Sequence, residues 1–153
     1  MRAAVQTVPK VKYQRVGFKR RKRIGLYGGT FNPVHHAHLL VADQVGKALG
    51  LDKVLMMPDM IPPHVDKKDA IAAKLRVKML QLAIQGNPFL GIELAEIQRG
   101  GVSYTYDTIC ELKQQHPEVD YYFIIGGDMV DYLPKWYRIQ DLLKIVNFVG
   151  VRR

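Results

Sequence analysis

Residues 28–38 read GGTFNPVHHAH, and the fold is decided by what lies on either side of them. Upstream, Ile24-Gly25-Leu26-Tyr27 is short and apolar, the pattern of a buried strand. Downstream, Leu39, Leu40, Val41, Val45, Ala48 and Leu49 recur at helical spacing, and Gly50 offers a stop. The order is therefore strand, glycine turn, helix. That succession makes an anion site, because glycines let the backbone come close and the N–H groups at a helix start carry partial positive charge. No Lys-Ser/Thr follows the glycines, so this is not a Walker loop, and the three-glycine dinucleotide fingerprint is missing too. What the stretch carries instead is His35 and His38, three apart at the helix mouth and on one face of its first turn. Imidazoles there can donate hydrogen bonds to phosphate oxygens and stabilise charge that develops during displacement. No carboxylate or cysteine lies near in sequence to complete a ligand set, so no metal site is expected at the histidines.

The alternation continues outward. Lys53–Pro58 reads as a second strand ended by proline, and Asp59–Asp69 as a loop rich in proline and charge. Ala70–Gln85 has helical spacing, and Phe89–Ile92 is a short third strand. A helix capped by Ser103 or Thr105 runs to about His116, and Asp120–Ile125 is an aromatic strand ending in a second glycine turn, Gly126-Gly127-Asp128. Ile139–Val146 reads as a helix and Phe148–Val151 as a fifth strand. Strands separated by helices give a parallel sheet with right-handed crossovers. The expected fold is α/β, a Rossmann-like doubly wound parallel sheet of about five strands with helices on both faces. Ligands of such sheets sit at the C-terminal strand ends, so both glycine turns face one crevice.

Composition bounds the remaining options. With 153 residues, 48% of them hydrophobic and 24% charged, the chain suits one globular domain with a real core. No apolar run is long enough to cross a bilayer and no secretory leader is visible, so no membrane partner is expected. One cysteine, Cys110, allows no internal disulfide and fits the cytoplasm. The net charge of +9 is an appended property. Nine of the 23 Lys and Arg residues fall within residues 1–23, which hold no acid, and the other 14 balance the 14 Asp and Glu. The expected division is a basic, flexible N-terminal extension over 1–23 and a catalytic domain over 24–153. The high charge is thus no argument for a specific nucleic-acid partner.

The histidine stretch resembles the signature of the His-x-Gly-His nucleotidyltransferase superfamily, with Ala37 at the motif's glycine. Further stretches narrow the likeness to the bacterial nicotinate-nucleotide adenylyltransferases. Ser103-Tyr104-Thr105 with Asp107-Thr108 is similar to their Ser-Tyr-Thr-x-Asp-Thr element. Tyr122–Met129 resembles their Phe-Ile-Ile-Gly-Ala-Asp-Met element, with Gly127 at its alanine. Leu133–Tyr137 resembles their pyridine-binding loop, and Ile61–His64 matches their Ile-Pro-Pro-His run. The agreement spans Ile24 to Val151 in order.

The resemblance implies adenylyl transfer from ATP to nicotinate mononucleotide, giving deamido-NAD and pyrophosphate, with Mg²⁺ accompanying ATP. It implies that His35 and His38 contact the ATP phosphates and stabilise the transition state. Gly28, Gly29, Thr30 and Phe31 would line the nucleotide, and Asp128 would accept hydrogen bonds from a ribose. Trp136, as a lid residue, would stack on the pyridine, and the Trp136 and Tyr137 backbone would hold its carboxylate, with Thr105 and His64 assisting. Two alternatives stand beside it: a sister transferase using phosphopantetheine or CTP, and an inactive nucleotide-binding fragment. A homo-oligomer is compatible with the sequence. The family continues past the fifth strand into a Ser-Ser-Thr-x-Ile-Arg phosphate element, and this chain ends at Arg152-Arg153, so a C-terminal truncation is expected.

Overall fold

A computed structural model describes residues 20–63 and 70–152. Five strands, β1 (Lys22–Gly29), β2 (Lys53–Pro58), β3 (Leu90–Ile92), β4 (Val119–Gly126) and β5 (Asn147–Val151), form one sheet in the order β3-β2-β1-β4-β5. Every pairing is parallel. The connecting helices are α1 (His36–Ala48), α2 (Ala73–Ala83), α3 (Ala95–Arg99), α4 (Thr105–Gln115), α5 (Gly127–Val130) and α6 (Ile139–Leu142), with a 3₁₀ turn over Leu133–Lys135. This is the expected Rossmann-like α/β architecture.

Strand alternation divides the core in two. Tyr121, Phe123 and Ile125 of β4 pack with Ile109 and Leu112 of α4 and Leu142 of α6. Ile124 faces the other way, with Val54 and Met56 of β2, Ala42 of α1 and Leu80 of α2. The sheet is thus covered on both faces, as a buried parallel sheet requires. From β1 the chain steps to β2 on one side and meets β4 on the other, so the strand order reverses between β1 and β4.

Several elements differ from the sequence reading. Gly28 and Gly29 are not a turn; they are the last residues of β1, paired in register with Met57 and Pro58. The turn itself starts at Thr30. Gly28 is glycine because the Phe123 ring lies across it: a Cβ there would stand 2.7 Å from Phe123 Cζ. Strand β1 begins at Lys22, and the adjoining basic residues are tied down, with Arg20 on Asp52 and Arg21 on Asp120. Residues 1–19 lie outside the described residues. Helix α4 is capped by neither Ser103 nor Thr105. Tyr104 is its N-cap residue, without a side-chain cap, because the Ser103 hydroxyl is taken by the Met60 N–H and Thr105 is already helical. The helix expected over 139–146 ends at Leu142, where the chain tightens into i→i+3 turns that bury Val146. Helix α3 was not expected at all.

Candidate active site

At the C-terminal ends of β1 and β4 lies a cavity of about 240 Å³. One wall is Gly28, Gly29, Thr30 and Asp59; the other is Ser103, Tyr104 and Thr105 with Trp136 and Tyr137. Phe123, Ile125 and Met129 close it from the sheet side, and Glu96 also lines it.

The β1 wall is held by hydrogen bonds to its backbone. Asp59 N–H donates to Gly29 O (3.0 Å), and Thr30 Oγ1 donates to Asp59 Oδ2 (3.0 Å). Beneath them lies Arg76 of α2, 2% exposed. Its guanidinium donates to Thr30 O (2.7 Å), Asp59 O (2.9 Å) and Ile71 O (2.9 Å), so one buried cation fastens three separate backbone segments. Asp59 Oδ1 is buried and accepts no hydrogen bond among the described residues, with Arg76 Nη1 3.7 Å away. Burial pushes the Asp59 carboxyl upward, and the Thr30 hydroxyl and the Arg76 charge act against that.

The histidines stand at the mouth of α1. His35 is the N-cap residue, and His38 lies three residues in. Their rings stack at 3.7 Å, tilted by 23°. His35 N–H donates to His38 Nδ1 (3.1 Å), so that nitrogen is unprotonated and Nε2 is the N–H of the neutral ring. Phe31 fixes the His38 ring edge-on at 5.0 Å. Phe31 is itself 3% exposed and has a left-handed backbone, φ 50°. The structure therefore brings His35, His38 and Phe31 together beside the cavity wall, although they are not among the residues that line it. Asp128 sits in the first turn of α5, exposed, with its carboxylate folded toward Gly126. It too is outside the lining. His64 lies outside the described residues.

On the opposite wall, Trp136 is buried, edge-on to Phe123 (6.0 Å) and Phe148 (5.8 Å). Trp136 is thus a core residue with an edge on the cavity, and the idea of it as a lid is corrected. The turn over Leu133–Lys135 ends in an extended residue that sends Trp136 inward and Tyr137 outward. Tyr137, 46% exposed, is the ring at the rim, tilted against Tyr104 at 4.7 Å.

The sequence reading missed Asp59, Arg76 and Glu96 as site residues. Glu96, 4% exposed, accepts the Thr108 hydroxyl at 3.0 Å. Burial raises its carboxyl to about 7, although the hydrogen bonds from Thr108 and Ser103 and the Arg99 charge pull the other way. The sequence does carry a signal for it: a carboxylate between Ala95 and Ile97, within one turn of Arg99, is buried only with partners.

A family model described as "Cytidylyltransferase-like" matches residues 26–153, which takes in both walls. The chain belongs to the cytidylyltransferase-like family. Among its relatives is a protein of Lactococcus lactis subsp. lactis named "Probable nicotinate-nucleotide adenylyltransferase". It is 64% identical over 133 residues, covering 87% of this chain and 68% of the relative. A relative of the same name from Streptococcus mutans serotype c is 64% identical over 135 residues, covering 88% and 64%. The chain thus spans about two thirds of the length of the curated relatives it matches. Among solved structures, a Plasmodium falciparum nicotinic acid mononucleotide adenylyltransferase complexed with NaAD superposes with a TM-score of 0.69. Its identity is 18%, and the match covers 87% of this chain and 76% of that one. At that identity the likeness supports the cytidylyltransferase-like fold. Among the described residues, no helix is long and apolar enough to cross a membrane, and no group of three or more His, Cys, Asp or Glu gathers to hold a metal.

Proposed function

We propose that this chain carries the nucleotide-binding part of a cytoplasmic nicotinate-nucleotide adenylyltransferase, which joins ATP to nicotinate mononucleotide to give deamido-NAD and pyrophosphate. The observation that carries the reading is one cavity at the strand ends whose two walls differ in kind. One wall is glycine backbone with the Thr30 and Asp59 side chains, flanked by stacked imidazoles. The other is aromatic and hydroxylic. The first suits a polyphosphate and the second a flat ring bearing a carboxylate. The names of the relatives support the same reaction.

In this reading the 5′-phosphate of nicotinate mononucleotide attacks the α-phosphorus of ATP in line, and pyrophosphate leaves. The protein's work is positioning two anions and spreading charge. His38 Nε2–H and His35 donate to phosphate oxygens, and the N-terminal amides of α1 add their dipoles. Gly28, Gly29, Thr30 and Phe31 form the nucleotide side, and Asp128 accepts from a ribose. Thr105, Trp136 and Tyr137 form the acceptor side, joined by His64. Mg²⁺ would accompany ATP as part of the substrate and would neutralise polyphosphate charge; the described residues supply no ligand set for it. The basic N-terminal segment is an extension without a sequence-specific nucleic-acid role.

The test is pyrophosphate release from ATP in the presence of nicotinate mononucleotide. This chain would be compared with one extended by the C-terminal third of its Lactococcus relative. Release with nicotinate mononucleotide, and not with phosphopantetheine or with CTP in place of ATP, is the expected result. Release only with one of the latter pairs overturns it.

A further inference from the structure

Glu96 lies under the acceptor wall without belonging to either of the elements that form that wall's surface. It is on α3, whereas the wall is made by residues 103–105 and the 136–137 segment. Its carboxyl receives the Thr108 hydroxyl (3.0 Å) and lies beside Ser103, whose polar side chain also favours the ionised form. Ser103 Oγ in turn accepts the Met60 N–H (2.8 Å), and Thr108 Oγ1 accepts from Arg99 Nη2 (2.9 Å). Tyr104 lies between these two anchored residues. A second acceptor is within reach of the Thr108 hydroxyl, the Tyr104 carbonyl at 3.2 Å. A hydroxyl has one proton, so Thr108 can satisfy Glu96 or Tyr104 and not both.

We propose that Glu96 is a positioning residue for the acceptor nucleotide: by drawing the Thr108 hydroxyl away from the Tyr104 carbonyl, which keeps the Thr108 N–H (3.2 Å), it sets where Tyr104 and Thr105 stand. This rests on the adenylyltransferase reading only for the identity of the ligand. The ionised carboxylate holds the Thr108 hydroxyl more strongly than the neutral acid does, so on protonation the Tyr104 carbonyl, bonded to the Thr108 N–H in either state, gains a second donor. The charged groups that face Glu96 are Asp59 from the loop after β2 and Arg99 one turn along α3. Beyond them, Arg76 of α2 stands 3.7 Å from Asp59, and Glu111 of α4 pairs with Arg99 at 3.1 Å. Glu93 is turned to the start of α3, where it accepts the Ala95 N–H. Asp59 opposes ionisation of Glu96 and Arg99 favours it, and burial places the midpoint near 7.

The experiment has two arms, both on the full chain. In the first, without ligand, the Tyr104 carbonyl and Thr108 methyl NMR shifts are followed with pH in the wild type and in Glu96→Gln. Both signals are expected to titrate near neutral pH in the wild type and to stay flat in the variant. The wild-type titration needs no variant to fold, and its absence overturns the proposal. In the second arm, binding of nicotinate mononucleotide is measured by Trp136 fluorescence. The acceptor's own phosphate titrates in this range with either protein, so the difference between the two is what reads Glu96. Relative to Glu96→Gln, the wild type should gain about 3- to 10-fold in affinity between about pH 6 and 8, as the ionised carboxylate takes hold of the Thr108 hydroxyl, the worth of one hydrogen bond. Parallel binding profiles overturn the positioning role while leaving the proposed function intact. Titrating shifts in a protein that binds no nicotinate mononucleotide at any pH support the proton relay and overturn the ligand assignment.

Discussion

Each wall of the cavity rests on one buried ionic side chain, and the two are opposite in kind. Arg76 lies under the β1 wall and gives three hydrogen bonds to backbone carbonyls. Glu96 lies under the acceptor wall and takes a hydrogen bond from the Thr108 hydroxyl. An arginine keeps its charge across the working range of pH, and its planar fork reaches several acceptors at once. A buried glutamate has a second, neutral form available at modest cost. The contrast suggests that the wall facing the polyphosphate is fixed, and that the wall facing the acceptor is adjustable by a proton.

The sharpest way to break the contrast is to remove the fixed anchor. Arg76→Met keeps the length of the side chain but leaves the Thr30, Asp59 and Ile71 carbonyls without their donor and Asp59 without its counter-charge. Removing one partner of a buried charged network costs about 3–5 kcal/mol. Urea unfolding of the variant should show that loss at every pH tested. A loss below ~1 kcal/mol would mean that water replaces the guanidinium and that the wall is not anchored as described.

The next largest effect is on chemistry. His38→Ala should lower kcat/KM for ATP by about 10²–10³, the usual worth of a donor to developing charge. The affinity for nicotinate mononucleotide should barely change, since His38 lies outside the acceptor wall. An equal loss on both substrates would erase the division between the walls.

The proton-dependent anchor predicts a smaller, pH-limited effect. Burial raises the Glu96 carboxyl from its ordinary value of 4.5 to about 7 in the fold. Between those values the folded chain holds a proton that the unfolded chain has lost, so stability falls as pH rises through this window and is level above it. Glu96→Gln removes that fall. Its stability relative to the wild type should therefore rise between about pH 5 and 8 by an amount bounded at roughly 3 kcal/mol. Chemical denaturation of both proteins at the two pH values checks it. A constant difference would show that Glu96 titrates alike in both states.

How much of this was legible beforehand follows from the same distinction. The β1–α1 stretch is read from neighbours in sequence: an apolar strand, glycines, and two histidines spaced by one helical turn. The five strands, which alternate with helical spacing, were legible for the same reason. What escaped notice is carried by long-range polar contacts. Arg76 is 46 residues from Thr30 and reads as an ordinary surface position of an amphipathic helix. Glu96 is 12 residues from Thr108, on a helix too short to announce itself by periodicity. Trp136 was misjudged because the 3₁₀ turn before it, rather than any residue type, decides which of two adjacent aromatics points inward.

That pair of aromatics gives the smallest and most discriminating effect. Tyr137 is half exposed at the rim and touches Tyr104, which Glu96 helps to place. Its ring also meets Tyr106 edge-on at 6.2 Å, over which Arg138 lies at 4.3 Å. Truncation in Tyr137→Ala removes two aromatic pairs at the rim and opens no core cavity, because Trp136 fills the interior beside Phe123 and Phe148. An aromatic contact is worth about 0.5–1.5 kcal/mol, so the KM for nicotinate mononucleotide should rise about 2- to 12-fold. The melting temperature should move little and the KM for ATP not at all. Combining Tyr137→Ala with Glu96→Gln then tests whether the adjustable wall is one unit. Residues in one contact network couple, whereas independent ones add. If Tyr137 senses Glu96 through Tyr104, the double variant will show less than the product of the two single effects on acceptor binding at high pH. Strict multiplication of the effects would instead mean that the rim and the buried carboxyl act separately, and that the proton sets Tyr104 without reaching the ring beside it.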